Sequence, residues 1–345
     1  MAPVTNARTL FNEVPTGYPV PGRTTVHDTS QTIDLDNVPL EGGILIKTLV
    51  LSIDPYIRGR MRAPEPKAKS YSPPFAIGEP ITNYGIGVVL RSEKSGYAKG
   101  DHVSGILPFQ EYTVQKDPSS LKKLVNAGLP WEVYLGTLGM PGMQTAYYGW
   151  KEFSAAKRGE TVFVTTAGGP VGSLVVELAK LDGLKVIGSA GSEEKVEFVR
   201  SLGGDVVFNY KTTSTREVLE REGPIDIYWD NVGGEILDLA LEYANTDGRF
   251  IQCGAISMYN DPSFPGIRNY TQIFRKQLTM HGLLVPRLAH KYEEEFYRVI
   301  VPLVKEGKIK HKEDISKGLE TASQGIADVQ QGKNKAKKVI LVAEE

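Results

Sequence analysis

Apolar and polar positions divide this chain into two textures. From Val20 to about Pro118 the sequence is rich in proline and glycine, and short β-branched stretches such as Ile44 to Ile46 and Val88 to Leu90 are bounded by turn residues. That pattern predicts irregular, mostly β structure. Near Pro130 it changes, and apolar runs of strand length begin to alternate with segments whose apolar residues recur every three or four positions, the spacing of βαβ units. Thr161 to Thr165 is the first such strand, and Val171, Leu174, Val175, Leu178 and Ala179 follow at helical spacing. Lys185 to Gly188, Asp205 to Phe208, Ile225 to Trp229, Arg249 to Cys253 and Leu278 to Val285 continue the series. The expectation is an α/β fold whose parallel, doubly wound sheet has about six strands.

Beyond the helical stretch Tyr292 to Val304, a shorter helix over Leu319 to Val329 and a closing strand from Lys338 to Val342 are expected to return to the first domain. A chain of 345 residues favours two cores over one. The expected division is 1–130 with 304–345 for the mostly β domain and 131–303 for the doubly wound one.

Composition narrows the function classes. Forty basic residues against 41 acidic ones leave a formal charge of -1, no footprint for a nucleic-acid partner. No run approaches the roughly 18 apolar residues of a membrane helix. The single cysteine, Cys253, excludes an internal disulfide and any zinc site built from several thiolates. The start, MAPVTNARTLF, lacks the layout of a secretory signal, so a reducing, cytoplasmic setting is expected. His27, His102, His281, His290 and His311 are scattered without ligand spacing, and no metal is expected. The cluster Lys333, Lys335, Lys337 and Lys338 reads as a solvated basic edge before the last strand rather than an import signal.

Chemistry concentrates in Ala167-Gly168-Gly169-Pro170-Val171-Gly172, a G-x-G-x-x-G match with alanine in first place. It lies between a strand and an amphipathic helix, where glycine lets the backbone approach a pyrophosphate and the helix amides receive it. A tight helix-strand packing turn is the plainer alternative. The next strand ends in Gly188-Ser189-Ala190-Gly191-Ser192, with no carboxylate to hold a ribose 2′-hydroxyl or repel a 2′-phosphate. Lys195, one helical turn later, can supply positive charge, although Glu193 and Glu194 stand beside it. NADPH is therefore favoured over NADH.

Several blocks extend the pattern over nearly the whole chain: Ser52-Ile53-Asp54-Pro55-Tyr56-Ile57-Arg58, Asn83-Tyr84-Gly85, Gly139-Met140-Pro141-Gly142, Phe208-Asn209-Tyr210-Lys211, Asp230-Asn231-Val232-Gly233-Gly234 and Cys253-Gly254-Ala255-Ile256-Ser257. In these the sequence resembles the leukotriene B4 dehydrogenase/prostaglandin reductase branch of the zinc-independent medium-chain dehydrogenases/reductases, and especially its NADP-dependent alkenal double-bond reductases. The resemblance implies a Rossmann domain joined to a GroES-like, mostly β catalytic domain. It implies pyrophosphate contacts from Gly169, Pro170, Val171 and Gly172, adenosine 2′-phosphate and ribose contacts from Ser192, Lys195 and Tyr210, and a nicotinamide contact from Asn231. Met140, Cys253, Tyr259 and Asn334 complete the implied cofactor set. Tyr56, Tyr84 and Tyr259 match tyrosines that line the substrate pocket or engage the nicotinamide ribose. Phe109, Ala336 and Thr166 depart from the family's usual tryptophan, glycine and alanine.

The implied reaction is reduction of the carbon-carbon double bond of an α,β-unsaturated aldehyde or ketone, with hydride to the β-carbon and a proton to the α-carbon. Negative charge builds on the carbonyl oxygen, so the site needs hydrogen-bond donors rather than a nucleophile. Tyr259 is the first candidate for the proton-delivering donor and Tyr56 the second, against the alternative that each is a packing aromatic. Arg58 is expected in a structural ion pair. A small-molecule enal or enone is the expected partner, and relatives suggest a homodimer joined along an edge strand, for which Leu278 to Val285 is the candidate. An NADPH-dependent quinone reductase and a non-catalytic NADPH-binding protein are the competing readings.

Overall fold

The computed structural model describes residues 2–64, 70–261, 263 and 266–345. The chain forms two compact units, 1–136 with 313–345 and 137–312. Residues 131–136 and 304–312 therefore fall on the opposite sides of the boundaries expected from texture. The short helix Trp131–Leu135 packs on the strand Ile44–Ser52 of the first unit. Past the helix Ala289–Lys305, the Lys310 amide donates to Glu177 Oε1 at 3.2 Å and Lys312 pairs with Glu194, which ties that stretch to the second unit.

The second unit holds the doubly wound sheet. Its strands are β1 (Thr161–Val164), β2 (Lys185–Ala190), β3 (Val206–Asn209), β4 (Ile225–Asp230), β5 (Ala244–Gln252) and β6 (Thr279–Gly282). The first five are joined by α1 (Pro170–Leu181), α2 (Glu193–Ser201), α3 (Thr215–Glu222) and α4 (Gly234–Glu242). The six strands run in the order β3-β2-β1-β4-β5-β6, every neighbour parallel. This is the expected Rossmann arrangement, and its strand order reverses beside β1, where ligands enter such sheets. Val164 stands opposite Gly188 of β2 and Trp229 of β4, which sets the carboxyl ends of these strands side by side.

Buried apolar runs are why these strands form where they do. Phe163, Ile187, Tyr228 and Phe250 are fully buried, and Tyr228 lies 5.4 Å from each of the Phe163 and Phe250 ring centroids. β5 departs from expectation, beginning at Ala244 rather than Arg249. Its leading Asn245, Thr246 and Asp247 carry no apolar periodicity, and the pairing with β4 shifts register there, so only the tertiary ladder reveals the extension. β6 is shorter than the Leu278 to Val285 run, because a 3-10 turn over Val285–Arg287, with Pro286 inside, ends the pairing.

In the first unit a seven-stranded sheet runs Glu313–Lys317, Lys337–Leu341, Ile44–Ser52, Thr82–Ser92, His102–Pro108 and Lys122–Leu124, with Tyr112–Gln115 paired on Ile44–Ser52. It is the mostly β unit expected. Ile46, Leu51, Val89, Leu107 and Ile326 fill its core. The closing strand is antiparallel to Ile44–Ser52, with Val339 opposite Ser52 and Ile340 opposite Leu51. Continuing that register brings Lys337 to Asp54.

Candidate cofactor and substrate residues

The glycine loop lies at the carboxyl end of β1. The Ala167 amide donates to Ser189 O at 2.9 Å, which joins the loop to β2, and the Gly169 amide closes a turn on Thr166 O at 2.9 Å. A Cβ on Gly172 would stand 2.5 Å from Thr166 O and 2.7 Å from the Ala167 Cα, so only glycine lets α1 start this close to the strand. α1 opens with Pro170 at its first position and has no side-chain cap. Its leading amides therefore point outward without a side-chain acceptor, an arrangement suited to a phosphate. Gly172 serves packing, while the helix start at Gly169 and Pro170 carries no side-chain cap.

A second cluster forms where β2 ends. Ser192 caps α2, its Oγ accepting from the Lys195 amide at 3.4 Å. A Cβ on Gly168 would meet the Lys195 Cβ at 2.9 Å, so Lys195 sits directly against the glycine loop. A Cβ on Gly191 would meet the Tyr210 hydroxyl oxygen at 3.0 Å, which places the half-exposed Tyr210 over that glycine. The neighbouring acids are engaged elsewhere: Glu193 accepts from Asn209 Nδ2 at 2.8 Å and Glu194 pairs with Lys312. Ser192, Lys195 and Tyr210 thus gather around the turn that follows β2.

The third cluster lies at the ends of β4 and β5. Asn231 donates its amide N–H to Thr165 Oγ1 and its side-chain Nδ2 to Thr165 O, both at 2.8 Å. Buried Asp230 organises the turn: its Oδ1 accepts from Tyr228, Val232 N and Gly233 N at 2.9, 2.9 and 2.7 Å, and its carbonyl accepts from Cys253 N and Gly254 N at 2.8 and 3.0 Å. Burial holds its carboxyl above the usual carboxylate range, against those hydrogen bonds. Burial, and then the Asp230 charge, pushes the Cys253 thiol up to about 12, so it stays protonated. Tyr259 ends the short helix Ile256–Tyr259, and its hydroxyl accepts from Ala255 N at 3.3 Å. A Cβ on Gly254 would lie 3.3 Å from that oxygen, so the hydroxyl stands over Gly254, beside Cys253. Half-buried Met140 is on a separate element, ahead of the helix Met143–Phe153 and joined to Pro141 by a cis peptide.

Within the first unit, Tyr56 and Tyr84 converge on a buried polar network. The Tyr56 hydroxyl donates to Asn83 Oδ1, and Asn83 Nδ2 donates to Ser52 O at 2.7 Å and to Asp54 Oδ2 at 2.8 Å. Ser52 Oγ donates to the same Asp54 oxygen at 2.6 Å, while Asp54 Oδ1 takes the ammonium of Lys337. Burial and the Asp54 charge hold the Tyr56 and Tyr84 phenols above their ordinary range, so both stay neutral. Tyr71 stands near, its ring centroid 6.4 Å from that of Tyr56. Arg58 donates to Gly17 O at 3.1 Å and to Pro15 O at 3.2 Å. Asn334 Nδ2 is turned onto its own chain, donating to Ala336 O at 2.8 Å.

Family models agree with this division. One described as zinc-binding dehydrogenase matches residues 170–305, and one described as N-terminal domain of oxidoreductase matches residues 8–124. The NADP(+)-dependent 2-alkenal reductase of Nicotiana tabacum is 39% identical, with 99% of each chain covered. The (+)-pulegone reductase of Mentha piperita is 41% identical over 88% of this chain and 89% of its own. Among solved structures, CurA from Vibrio vulnificus in complex with NADPH superposes with a TM-score of 0.87 at 30% identity, covering 98% of this chain and 100% of that one. The chain belongs to the zinc-independent medium-chain double-bond reductases.

For this reductase, sequence reading missed residues that the fold brings to Tyr56. Asp54 and Asn83 lie inside quoted blocks, but nothing local marks them as partners of a residue more than two hundred positions away. Lys337 corrects the basic-edge reading outright: its side chain is 3% exposed and paired with Asp54, and Lys338, 8% exposed, pairs with Asp314 at 2.9 Å. The available signal was their position inside an apolar strand rather than before it. Among the described residues no group of three or more His, Cys, Asp or Glu side chains could hold a metal ion, and no helix is long and apolar enough to cross a membrane.

Proposed function

We infer that this reductase uses NADPH to saturate the double bond of α,β-unsaturated aldehydes or ketones, adding hydride at the β-carbon and a proton at the α-carbon. The observation that carries the reading is the row of groups along the carboxyl edge of the second unit's sheet: an uncapped helix start at Gly169 and Pro170, the Ser192, Lys195 and Tyr210 cluster, and Asn231, Cys253 and Tyr259 at the next two strand ends. The tobacco and peppermint relatives and the NADPH complex of CurA support it.

The residues present fit the dinucleotide, which supplies the hydride when bound. Amides at the start of α1 receive its phosphates, and Lys195 with Tyr210 selects the 2′-phosphate. Thr165 holds the Asn231 amide in one orientation for the carboxamide side. Tyr259 is the donor for the enolate oxygen and for the proton that follows. In its bond to Ala255 N the hydroxyl acts as acceptor. Tyr56 and Tyr84 belong to the substrate side, and Asn334 to the cofactor side of the C-terminal return.

A homodimer joined through β6, one of the two edge strands of the six, accords with the edge it leaves. A cytoplasmic location accords with the single free cysteine.

Steady-state assays with an alkenal, an aryl enone and a quinone, each under NADPH and NADH, test the reading. Enal or enone turnover under NADPH, with the saturated carbonyl as product, is the expected result. Preferred turnover of the quinone would transfer the chain to the quinone reductases. Tight NADPH binding with no reduction of any of them would leave a non-catalytic binding protein.

A further inference from the structure

Resting on the reading of Lys195 and Tyr210 as the cluster that takes the adenosine 2′-phosphate, we propose that Lys312 is a positioning residue for NADPH selectivity. It pairs with Glu194, the acid next to Lys195, and so keeps that carboxylate from repelling the phosphate.

The need for such a residue follows from the first turn of α2. Glu193 and Glu194 open the helix, where carboxylates suit the leading amides and the positive end of the helix dipole. A 2′-phosphate approaching Lys195 arrives at the same turn, so the two acids oppose it. Glu193 is held by Asn209, whose amide has a fixed orientation: its Oδ1 accepts from the Lys211 amide at 3.1 Å, which leaves Nδ2 to donate to Glu193 at 2.8 Å. Glu194 receives an ammonium instead, from a residue 118 positions further along the chain. With Lys312 counted, the charges of Glu193, Glu194, Lys195 and Lys312 sum to zero; without it the turn is net negative.

Lys312 reaches Glu194 because the stretch that carries it is pinned along α2. The Lys310 amide donates to Glu177 Oε1 on α1 at 3.2 Å, and the Lys310 ammonium donates to Ser201 O, at the carboxyl end of α2, at 2.8 Å. Two residues on, Lys312 meets the amino end of the same helix. One lysine thus serves the negative end of the helix dipole, and the other offsets an acid at its positive end. The Lys312 and Glu194 side chains are 45% and 60% exposed, so the pair adds little to stability. Its weight falls on the cofactor: a doubly charged group arriving at this turn feels the field of Glu194 whether or not the pair stabilises the fold. NADH, which carries a hydroxyl at that position, does not.

The test measures KM for NADPH and for NADH with one enal, at low and at physiological salt, in the wild type, in Lys312→Met and in Lys312→Met combined with Glu194→Gln. Lys312→Met should raise KM for NADPH about three- to fivefold at low salt, with KM for NADH moving by less than about twofold. Physiological salt should shrink the effect. The double variant should return KM for NADPH to within about twofold of the wild type, a rescue that a direct contact between Lys312 and the phosphate does not allow. Titration of NADPH by protein fluorescence reads the same differences without turnover. Equal effects on both cofactors, a KM for NADPH unmoved by Lys312→Met, or a double variant no better than the single one would overturn the proposal. Lys195→Ala in the same assay separates the two readings: discrimination between the cofactors keeps the 2′-phosphate cluster even if Lys312 has no part in it, and an equal effect on both removes the cluster and this proposal together.

Discussion

Lys337 and Asp54 form an ion pair with only 3% and 1% of their side chains exposed, joining the closing strand to the segment that carries Tyr56. Such a pair contributes little net stability in itself, because desolvation offsets the attraction, yet removing one partner strands a buried charge. Lys337→Met should therefore destabilise the protein by about 3 to 5 kcal/mol. Lys337→Met combined with Asp54→Leu should recover much of that loss. Urea unfolding of both variants checks it, and a double variant no more stable than the single one would show that the pair does more than balance its own charge.

Cofactor preference depends on Lys195 beside the glycine loop. Lys195→Ala removes a charge-assisted contact of about 1.5 to 3 kcal/mol and should raise KM for NADPH about 10- to 100-fold. KM for NADH should hardly change. Equal effects on both would place Lys195 outside the 2′-phosphate cluster.

Proton delivery is assigned to Tyr259, whose hydroxyl stands over Gly254. Positioned proton transfer contributes about 10² to 10⁴ in rate, so Tyr259→Phe should lower kcat by about a hundredfold or more. NADPH affinity, read by quenching of protein fluorescence, should fall much less. Unchanged turnover would move the donor role to another group.

Stability should respond to pH through Glu177. Its Oε2 is buried without a hydrogen-bond partner, and burial raises its pKa from 4.5 to about 7, with the Lys310 amide and nearby Lys310 and His311 opposing the shift. Between these values the folded state holds a proton that the unfolded chain has released, so this contribution favours folding below pH 4.5 and is lost as pH rises toward 7. Glu177→Gln abolishes the penalty and should stabilise the protein by about 1 kcal/mol at pH 8, after discount for solvent screening, and by far less at pH 5. Melting temperatures at the two pH values decide it; equal shifts would locate the effect in packing instead.

Much of the architecture was legible in the chain. Apolar periodicity marked all six parallel strands, since buried strands must be apolar along most of their length; it missed the polar start of β5, where backbone pairing alone continues the strand, and carried β6 past its end at Gly282. The glycine spacing was equally readable because Gly172 answers a local steric demand, set within one strand-turn-helix unit. Lys195 could be proposed from the turn that follows β2, whereas Ser192 and Tyr210 were implied only by the family resemblance; all three lie on consecutive elements of one βαβαβ run.

Long-range polar pairing was not legible. Lys337 looks in sequence like one more lysine in a basic stretch, and Asp54 and Asn83 look like turn and strand residues. Only the antiparallel register that sets Val339 against Ser52 carries a lysine from the end of the chain onto an aspartate near its beginning. A buried charge must find its counter-charge wherever the topology supplies one. Periodicity and spacing, being local quantities, determined which elements form and which residues face inward; the direction of the Tyr56 proton was decided by contacts that exist only after the two ends of the chain have met.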